Sequence, residues 1–368
     1  MKEKETYFTQ LDGVRFIAVS LVLVDHWLAE RNTLPLGPLG VTMFFVLSGF
    51  LITRILIQSK IKDEQQGRSH WFSVKQFIIR RSIRIFPIYF LTIFVCYALD
   101  VPPVRDTIGW CMLYATNLYI AINQRWMGVI DHLWSLAVEE QYYLFFPYLI
   151  LFLPKRLFLK TFLVMIILSV ALRIALFWHG NDWMVQYVSM PTCLDAFGLG
   201  GLMAYLHTYH RETILEKLNK NSYLALSFIG YALVIFLTKH VLNGHYNFGN
   251  LVLERLVASM FCFFLILRAV IGYQGVMKTI LESAVVSYIG KISYGLYLYH
   301  NFVYNFYHTP ATHPTLRILA KLAKYLPSLT SLVTFQLCYY FVITFILASL
   351  SWFLIEKPVN QLKRYFTY

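Results

Sequence analysis

The chain of 368 residues is 58% hydrophobic and only 14% charged, with a formal net charge of +13. A charged fraction this far below the roughly 25% of soluble domains excludes a water-soluble fold and points to an all-α polytopic membrane protein; no polar stretch exceeds about forty residues, so one bundle is expected rather than two domains. The positive balance does not imply nucleic acid as a partner, because the basic residues mostly flank apolar runs and report membrane topology.

The segment 1–5 holds two lysines and two glutamates, and the span after it contains Asp12, Arg15, Asp25 and His26, a poor match to the apolar core of a cleaved signal peptide. Stretches of the about 17 to 25 residues needed to cross a bilayer are read at 14–30, 39–58, 77–99, 133–153, 157–177, 186–207, 223–240, 250–271, 285–307 and 330–354. That gives about ten transmembrane helices. The run 108–122 is shorter and lies between polar segments, which marks it as interfacial or re-entrant; if it crossed, every later orientation would invert. With the N-terminus inside, the inner segments hold fifteen lysines and arginines and the outer ones seven, which supports both termini in the cytoplasm. A single transmembrane domain over 1–368 is expected, with short cytoplasmic tails and no fused extracytoplasmic domain. Cys96, Cys111, Cys193, Cys262 and Cys338 lie scattered without ligand spacing, so neither a disulfide framework nor a metal site is expected.

Several spans retain groups that are expensive in hydrocarbon and are therefore candidates for function. In the first, the eleven-residue step from Arg15 to His26 returns to within roughly 20° of the same helical face, about 16 Å along the axis, and Asp12 falls near that stripe. A snorkelling arginine and a histidine satisfied by a neighbouring helix form the structural alternative. In the second, Ser48 and Gly49 make a small pair in mid-span; the GxSxG elbow of a serine nucleophile is absent, so Ser48 reads as a packing or kink residue. In the third, Arg81 and Arg84 are i,i+3 neighbours, a fork suited to phosphate oxygens, although cytoplasmic arginines are also a topology signal.

The fourth span carries His132, Ser135, Glu139 and Tyr143 on one face, with Glu139 about 9 Å below the outer edge, at a depth comparable to that of His26. Glu139 and Glu140 cannot both face lipid, so at least one, Glu139 by preference, is expected in a polar cavity or as a protonated structural group. The sixth span carries Asp195 and then Gly198, Gly200 and Gly201, which permit close helix packing. In the ninth, Ser293, Tyr297, His300 or Asn301, and Tyr304 form a further polar stripe. Outer aromatics Trp110, Tyr114, Tyr119 and Trp126 suit either sugar stacking or an interfacial belt. Arginines inside with a histidine and a glutamate in the outer half fit a reaction between a cytoplasmic phosphorylated donor and an outer acceptor. They also fit a proton-coupled transporter of a sugar or lipid-linked sugar, with His26 and Glu139 as relay.

The same residues fall in ordered blocks: Leu11-Asp12-Gly13-Val14-Arg15 with His26 after ten residues, Phe44 to Ile52, Arg81 to Pro87, Leu133-Trp134-Ser135 through Glu139 to Tyr143, Ile292 to His300, and Ile355 to Pro358. Together they resemble the acyltransferase-3 family of integral membrane O-acyltransferases. The resemblance implies a ten-helix bundle in the membrane, by expectation the bacterial cytoplasmic membrane. Such a bundle takes an acyl group, commonly acetyl, from acyl-CoA and delivers it to a hydroxyl of a carbohydrate or glycolipid at the outer face. Acyl-CoA would be a substrate, with no permanently bound cofactor; membrane lipid and the acceptor would be the other partners. Carried over by position, Arg15 and His26 match the family's arginine–histidine pair, Arg81 and Arg84 its RxxR pair and Glu139 its acidic residue; His26 is expected as the general base, with Glu139 orienting or charge-compensating it and Arg81, Arg84 and Arg15 holding the donor. Asp12, Ser48, Ser135, Tyr143 and His300 are supporting candidates, and either direct transfer or an acyl-His26 or acyl-Ser48 intermediate is compatible with this set. Two departures stand out: Phe16 where many members have glycine, and Cys193 where many have arginine.

Overall fold

The computed structural model of the protein describes residues 7–242 and 246–368; Lys2, Lys4 and the rest of 1–5, used above for topology and for the signal-peptide comparison, lie outside the described residues. Every element among the described residues is helical. The longer ones are α1 (Thr9–Leu28), α2 (Leu36–Gln65), α3 (His70–Ala98), α4 (Leu133–Phe152), α5 (Phe158–Trp178), α6 (Leu194–Tyr209), α7 (Asn221–His240), α8 (Glu254–Ile271), α9 (Ala284–Lys291), α10 (Ser293–Val303) and α11 (Val333–Ser351). Five helical stretches among them are long and apolar enough to cross a membrane: Leu36–Gln65, Lys155–Trp178, Asn221–His240, Gly249–Ile271 and Val333–Tyr365. Helices α1, α3 and α4 have comparable length but carry the ionisable residues that form the site described below.

Two expected spans are not single continuous helices, and the short run 108–122, not counted among the spans, is divided as well. The run 285–307 is divided at Ile292 into α9 and α10 and ends as helix at Val303. Packing fixes the first half: a Cβ on Gly290 would lie 2.0 Å from the Asp12 carbonyl oxygen, so α9 is pressed backbone to backbone against the start of α1. The run 186–207 begins with a short helix, Trp183–Val188, and a 3-10 turn, Pro191–Cys193, before α6; Pro191, which lacks an amide to donate, stands in the first turn, where no intrahelical bond is lost. The run 108–122 forms two short helices, Ile108–Met112 and Thr116–Asn123, neither of which approaches the about 20 residues of a helical crossing.

Helix α2 is the centre of the bundle, with Val46, Phe50, Ile52 and Leu56 fully buried. It packs on α1 and most closely on α6. A Cβ on Gly200 would lie 2.2 Å from the Val46 carbonyl oxygen, and one on Gly49 would lie 2.4 Å from that of Phe197. The glycine-rich start of α6 thus serves the close helix approach expected of small residues in a membrane bundle. Because α1 and α2 form an antiparallel pair, Arg15 and the C-terminal half of α2 share one end of the bundle, and His26 and the N-terminus of α2 share the other.

Candidate active site

A cavity of about 300 Å³ lies between α1, α2, α3, α4 and α10. Its basic end is lined by Arg15, Arg80, Arg81, Arg84 and Lys363, its middle by Ser48, Glu139, Glu140 and Tyr143, and its far end by Ser135 and Tyr297. Ten residues named from the sequence, Arg15, Ser48, Arg81, Arg84, Ser135, Glu139, Glu140, Tyr143, Ser293 and Tyr297, therefore meet in one space, although they come from five helices. Lys363 and Tyr368 also line it; no local pattern marks them, because the C-terminal segment reaches the site only through the fold.

The cations at the basic end differ in what they already hold. Arg15 donates from Nη1 to Asp12 Oδ1 at 2.6 Å, and the buried Asp12 also accepts from the Tyr7 hydroxyl. Arg80 donates to the carbonyls of Lys363 and Phe366 at 3.1 and 2.8 Å and faces the Tyr368 ring. Arg81 stacks over the Tyr143 ring, 4.7 Å from its centroid. Neither Arg81 nor Arg84 donates a hydrogen bond to another described residue. Two guanidiniums, three residues apart on α3, thus present free N–H groups to the cavity, in the planar donor geometry that binds phosphate oxygens pairwise.

In the middle, Ser48 Oγ donates to Glu139 Oε1 at 2.8 Å, while the Tyr143 hydroxyl lies 3.0 Å from Glu139 Oε2 and 2.9 Å from Ser48 Oγ. Ser48 is therefore part of a polar triangle facing the cavity, which corrects the reading of it as a packing or kink residue. The expected partnership of Glu139 with His26 is not formed either. Glu139 is tied to Ser48 and Tyr143, and His26 is oriented by other groups.

Those groups come from α10 and the loop before α4. Nδ1 of His300 lies 2.6 Å from the Tyr297 carbonyl, which can only accept, so this nitrogen carries the proton and His300 Nε2 is an acceptor. His26 Nδ1 stands 2.8 Å from His300 Nε2 and 3.0 Å from Asn301 Oδ1; facing two acceptors, it must be the protonated nitrogen. In neutral His26 the lone pair is therefore on Nε2, which has no hydrogen-bond partner among the described residues. The same assignment closes around Asn301. Its Nδ2 donates to Asp131 Oδ1 and His132 Nδ1, each at 2.9 Å, and His132 Nε2 donates to the Leu298 carbonyl at 3.1 Å. Asn305 donates to Asn301 Oδ1 at 3.1 Å. His300, Asn301 and His132 are buried and His26 is only partly so, so the residue with the unbonded nitrogen is the least buried member of a locked network.

Tyr297 joins the two regions. Its hydroxyl is 2.6 Å from Ser135 Oγ and donates to the His132 carbonyl at 3.1 Å, its ring lines the cavity, and its carbonyl orients His300. Asp131 and Asn305 were not singled out in the sequence; both lie in short connecting segments where a polar residue carries no signal.

Asp195 is part of a separate buried pair. Arg173 Nη2 donates to Asp195 Oδ2 at 2.7 Å, with both side chains at most 1% exposed. Arg255 reaches from α8 to Cys193 Sγ at 3.1 Å and to the Tyr187 carbonyl at 2.8 Å. A guanidinium thus stands beside Cys193 although the residue itself is not arginine.

An acyltransferase domain model matches the sequence over residues 8–356. The chain belongs to the acyltransferase-3 family. The blocks that carry the cavity and the histidine network all lie inside the matched region. The family member is 30% identical over 329 residues to "Putative O-acetyltransferase SACOL0978" of Staphylococcus aureus (strain COL), covering 83% of this chain and 52% of that one. It is 28% identical over 318 residues to the O-acetyltransferase OatA of Staphylococcus aureus (strain NCTC 8325 / PS 47), covering 80% and 50%. The chain spans about half the length of these curated relatives. No solved structure matches it. With its family and its long apolar helices, it is an integral membrane protein.

Proposed function

We propose that the protein is a membrane O-acyltransferase that moves an acyl group, acetyl by its relatives' names, from acyl-CoA to a hydroxyl of a carbohydrate or glycolipid at the opposite face of the membrane. The observation that carries this reading is one cavity with unpaired Arg81 and Arg84 donors at one end and Tyr297 at the other, where Tyr297 holds the His300–His26 pair. Phosphates of the coenzyme bind the arginine fork, with Arg15 fixed beside it by Asp12. The pantetheine arm lies along Ser48, Glu139 and Tyr143, and the thioester carbonyl reaches the wall made by Ser135 and Tyr297.

His26 Nε2 takes the proton of the acceptor hydroxyl as the oxygen attacks the thioester carbonyl; the carbon–sulfur bond breaks, an ester forms, and the coenzyme leaves as a thiolate that recovers a proton. A positioned base of this kind contributes about 10² to 10⁴ in rate. His300 and Asn301 keep the productive nitrogen free, so both are positioning residues. We place ten membrane-crossing segments in the bundle, counting α9 and α10 together, with both termini and the arginine end in the cytoplasm and His26 in the outer half, in a bacterial cytoplasmic membrane.

The test is release of coenzyme A thiol by purified protein supplied with acetyl-CoA and candidate glycans. Release that depends on acceptor, together with acetyl ester on the glycan, is expected. Sugar movement across a vesicle with no thiol release would instead make His26 and Glu139 the relay of a transporter.

A further inference from the structure

A second cavity, of about 180 Å³, lies between the start of α2, the Trp183–Val188 helix, α7 and α8, outside the site described above. It sits at the same end of the α1–α2 pair as His26: Pro38, Leu39 and Thr42 line it, and a Cβ on neighbouring Gly37 would lie 2.6 Å from the carboxylate of Asp25, the residue before His26. One wall is aromatic. Trp183 and Tyr246 lie ring on ring, 4.8 Å apart with planes 11° from parallel, and Tyr187 closes the row 6.0 Å from Trp183. Tyr187 also packs on Trp134, the neighbour of Ser135 in the first cavity, with centroids 4.9 Å apart.

Polar groups at its base lack partners. Gln186, 2% exposed, has neither its Nε2 nor its Oε1 hydrogen-bonded to any described residue. Arg173 gives its terminal nitrogens to Asp195 and Thr192 but leaves Nε unbonded, although the side chain is only 1% exposed. A buried amide left unpaired costs about 1–3 kcal/mol, so a donor–acceptor pair and an extra N–H facing one space suggest a ligand that supplies both functions. Glu254 lines the same space, and Tyr246, 53% exposed, marks its open side.

We infer that this cavity is a saccharide subsite that holds one neutral pyranose ring of the acceptor. A sugar ring offers what the walls lack: hydroxyls that both donate to Gln186 Oε1 and accept from Gln186 Nε2 and Arg173 Nε, and an apolar face for the Trp183–Tyr246 wall. Concave aromatic surfaces with a few fixed polar groups are the usual form of small-molecule sites. The inference rests on the acyl-transfer reading for the ligand's being the acceptor; its binding chemistry stands on the cavity alone. Held there, the sugar chain is anchored beside Tyr187 and Trp134, within one layer of side chains of the Ser135–Tyr297 wall.

The experiment is saturation-transfer NMR of methyl glucoside, galactoside, mannoside and N-acetylglucosaminide with the full chain in nanodiscs free of glycoside detergent. Saturable binding of at least one glycoside is expected, weakened at least tenfold by Gln186→Ala and, independently, by Trp183→Ala, the latter at a partly exposed position where folding is retained. Absence of binding by all four glycosides, or binding unchanged in both folded variants, overturns the subsite. Thiol release from acetyl-CoA is scored separately: a protein that binds glycosides in this manner yet never releases coenzyme A refutes the acyl-transfer reading and keeps the subsite, whereas thiol release without glycoside binding does the reverse.

Discussion

The basic end of the main cavity and the histidine network that Tyr297 links to its far end are held in opposite ways. At the basic end, Arg81 and Arg84 make no hydrogen bond to the described protein, and their donors point into open space. In the network behind Tyr297, every ring nitrogen of His300 and His132 and every amide atom of Asn301 is paired with another described residue, and Nε2 of His26 is left over. The difference follows from what each end must do. A site for a charged ligand stores unused donors, because the ligand brings the acceptors; a general base needs one tautomer and one orientation, which a fully satisfied buried network supplies.

Substitutions that treat the ends as equivalent should therefore give unequal results. The largest effect is expected for Asn301→Leu, which removes the bonds to His26, His132, Asp131 and Asn305 together. It should lower kcat by about a hundredfold and destabilise the protein by the about 1–3 kcal/mol of each buried group left unpaired, read as a fall in apparent melting temperature. Arg81→Ala with Arg84→Ala should raise KM for acetyl-CoA by about ten- to a hundredfold, from charge-assisted bonds worth about 1.5–3 kcal/mol, with melting temperature changed far less than in Asn301→Leu, because no protein hydrogen bond is lost and only the Arg81 stack on Tyr143 goes. An equal loss of stability in the two variants would break the comparison.

Glu139→Gln should act between these extremes, lowering kcat by roughly tenfold, about the worth of one buried hydrogen bond, through loss of one of the two carboxyl oxygens that bond Ser48 and Tyr143. The smallest effect is expected for Arg80→Ala. Its guanidinium is already committed to the C-terminal carbonyls, so KM for acetyl-CoA should change less than about threefold, under the 1.4 kcal/mol of a tenfold step. A larger change would place the phosphates on Arg80 instead.

Much of this was legible in the sequence wherever one helix face carries the information. The Asp12–Arg15 pair is an i,i+3 contact, Arg81 and Arg84 share a face, and the Tyr297, His300 and Asn301 stripe does line one side of α10. What was not legible depends on partners distant in sequence. Glu139 was paired in expectation with His26 because the two lie at similar depth, yet depth says nothing about which partners each faces, and Glu139 is bonded to Ser48 and Tyr143 instead. Arg173 did leave a signal, a lone arginine in the run 157–177; its meaning became clear only with Asp195 beside it. The breaks at Ile292 and before Leu194 were hidden because hydropathy registers apolar length and not continuity of the helix.

The most direct test of the account is the chemical step in His26→Ala, measured together with the affinity for acetyl-CoA on the same preparation. The lone pair on Nε2 is the part of the histidine network that the described residues leave unbonded, so acceptor-dependent thiol release should fall by at least about a hundredfold, the lower end of a positioned base's contribution. The dissociation constant for acetyl-CoA, set at the arginine end, should be unchanged. Retained thiol release in a folded His26→Ala protein would contradict the assignment of the base, and a parallel loss of acetyl-CoA binding would contradict the division of labour between the two ends.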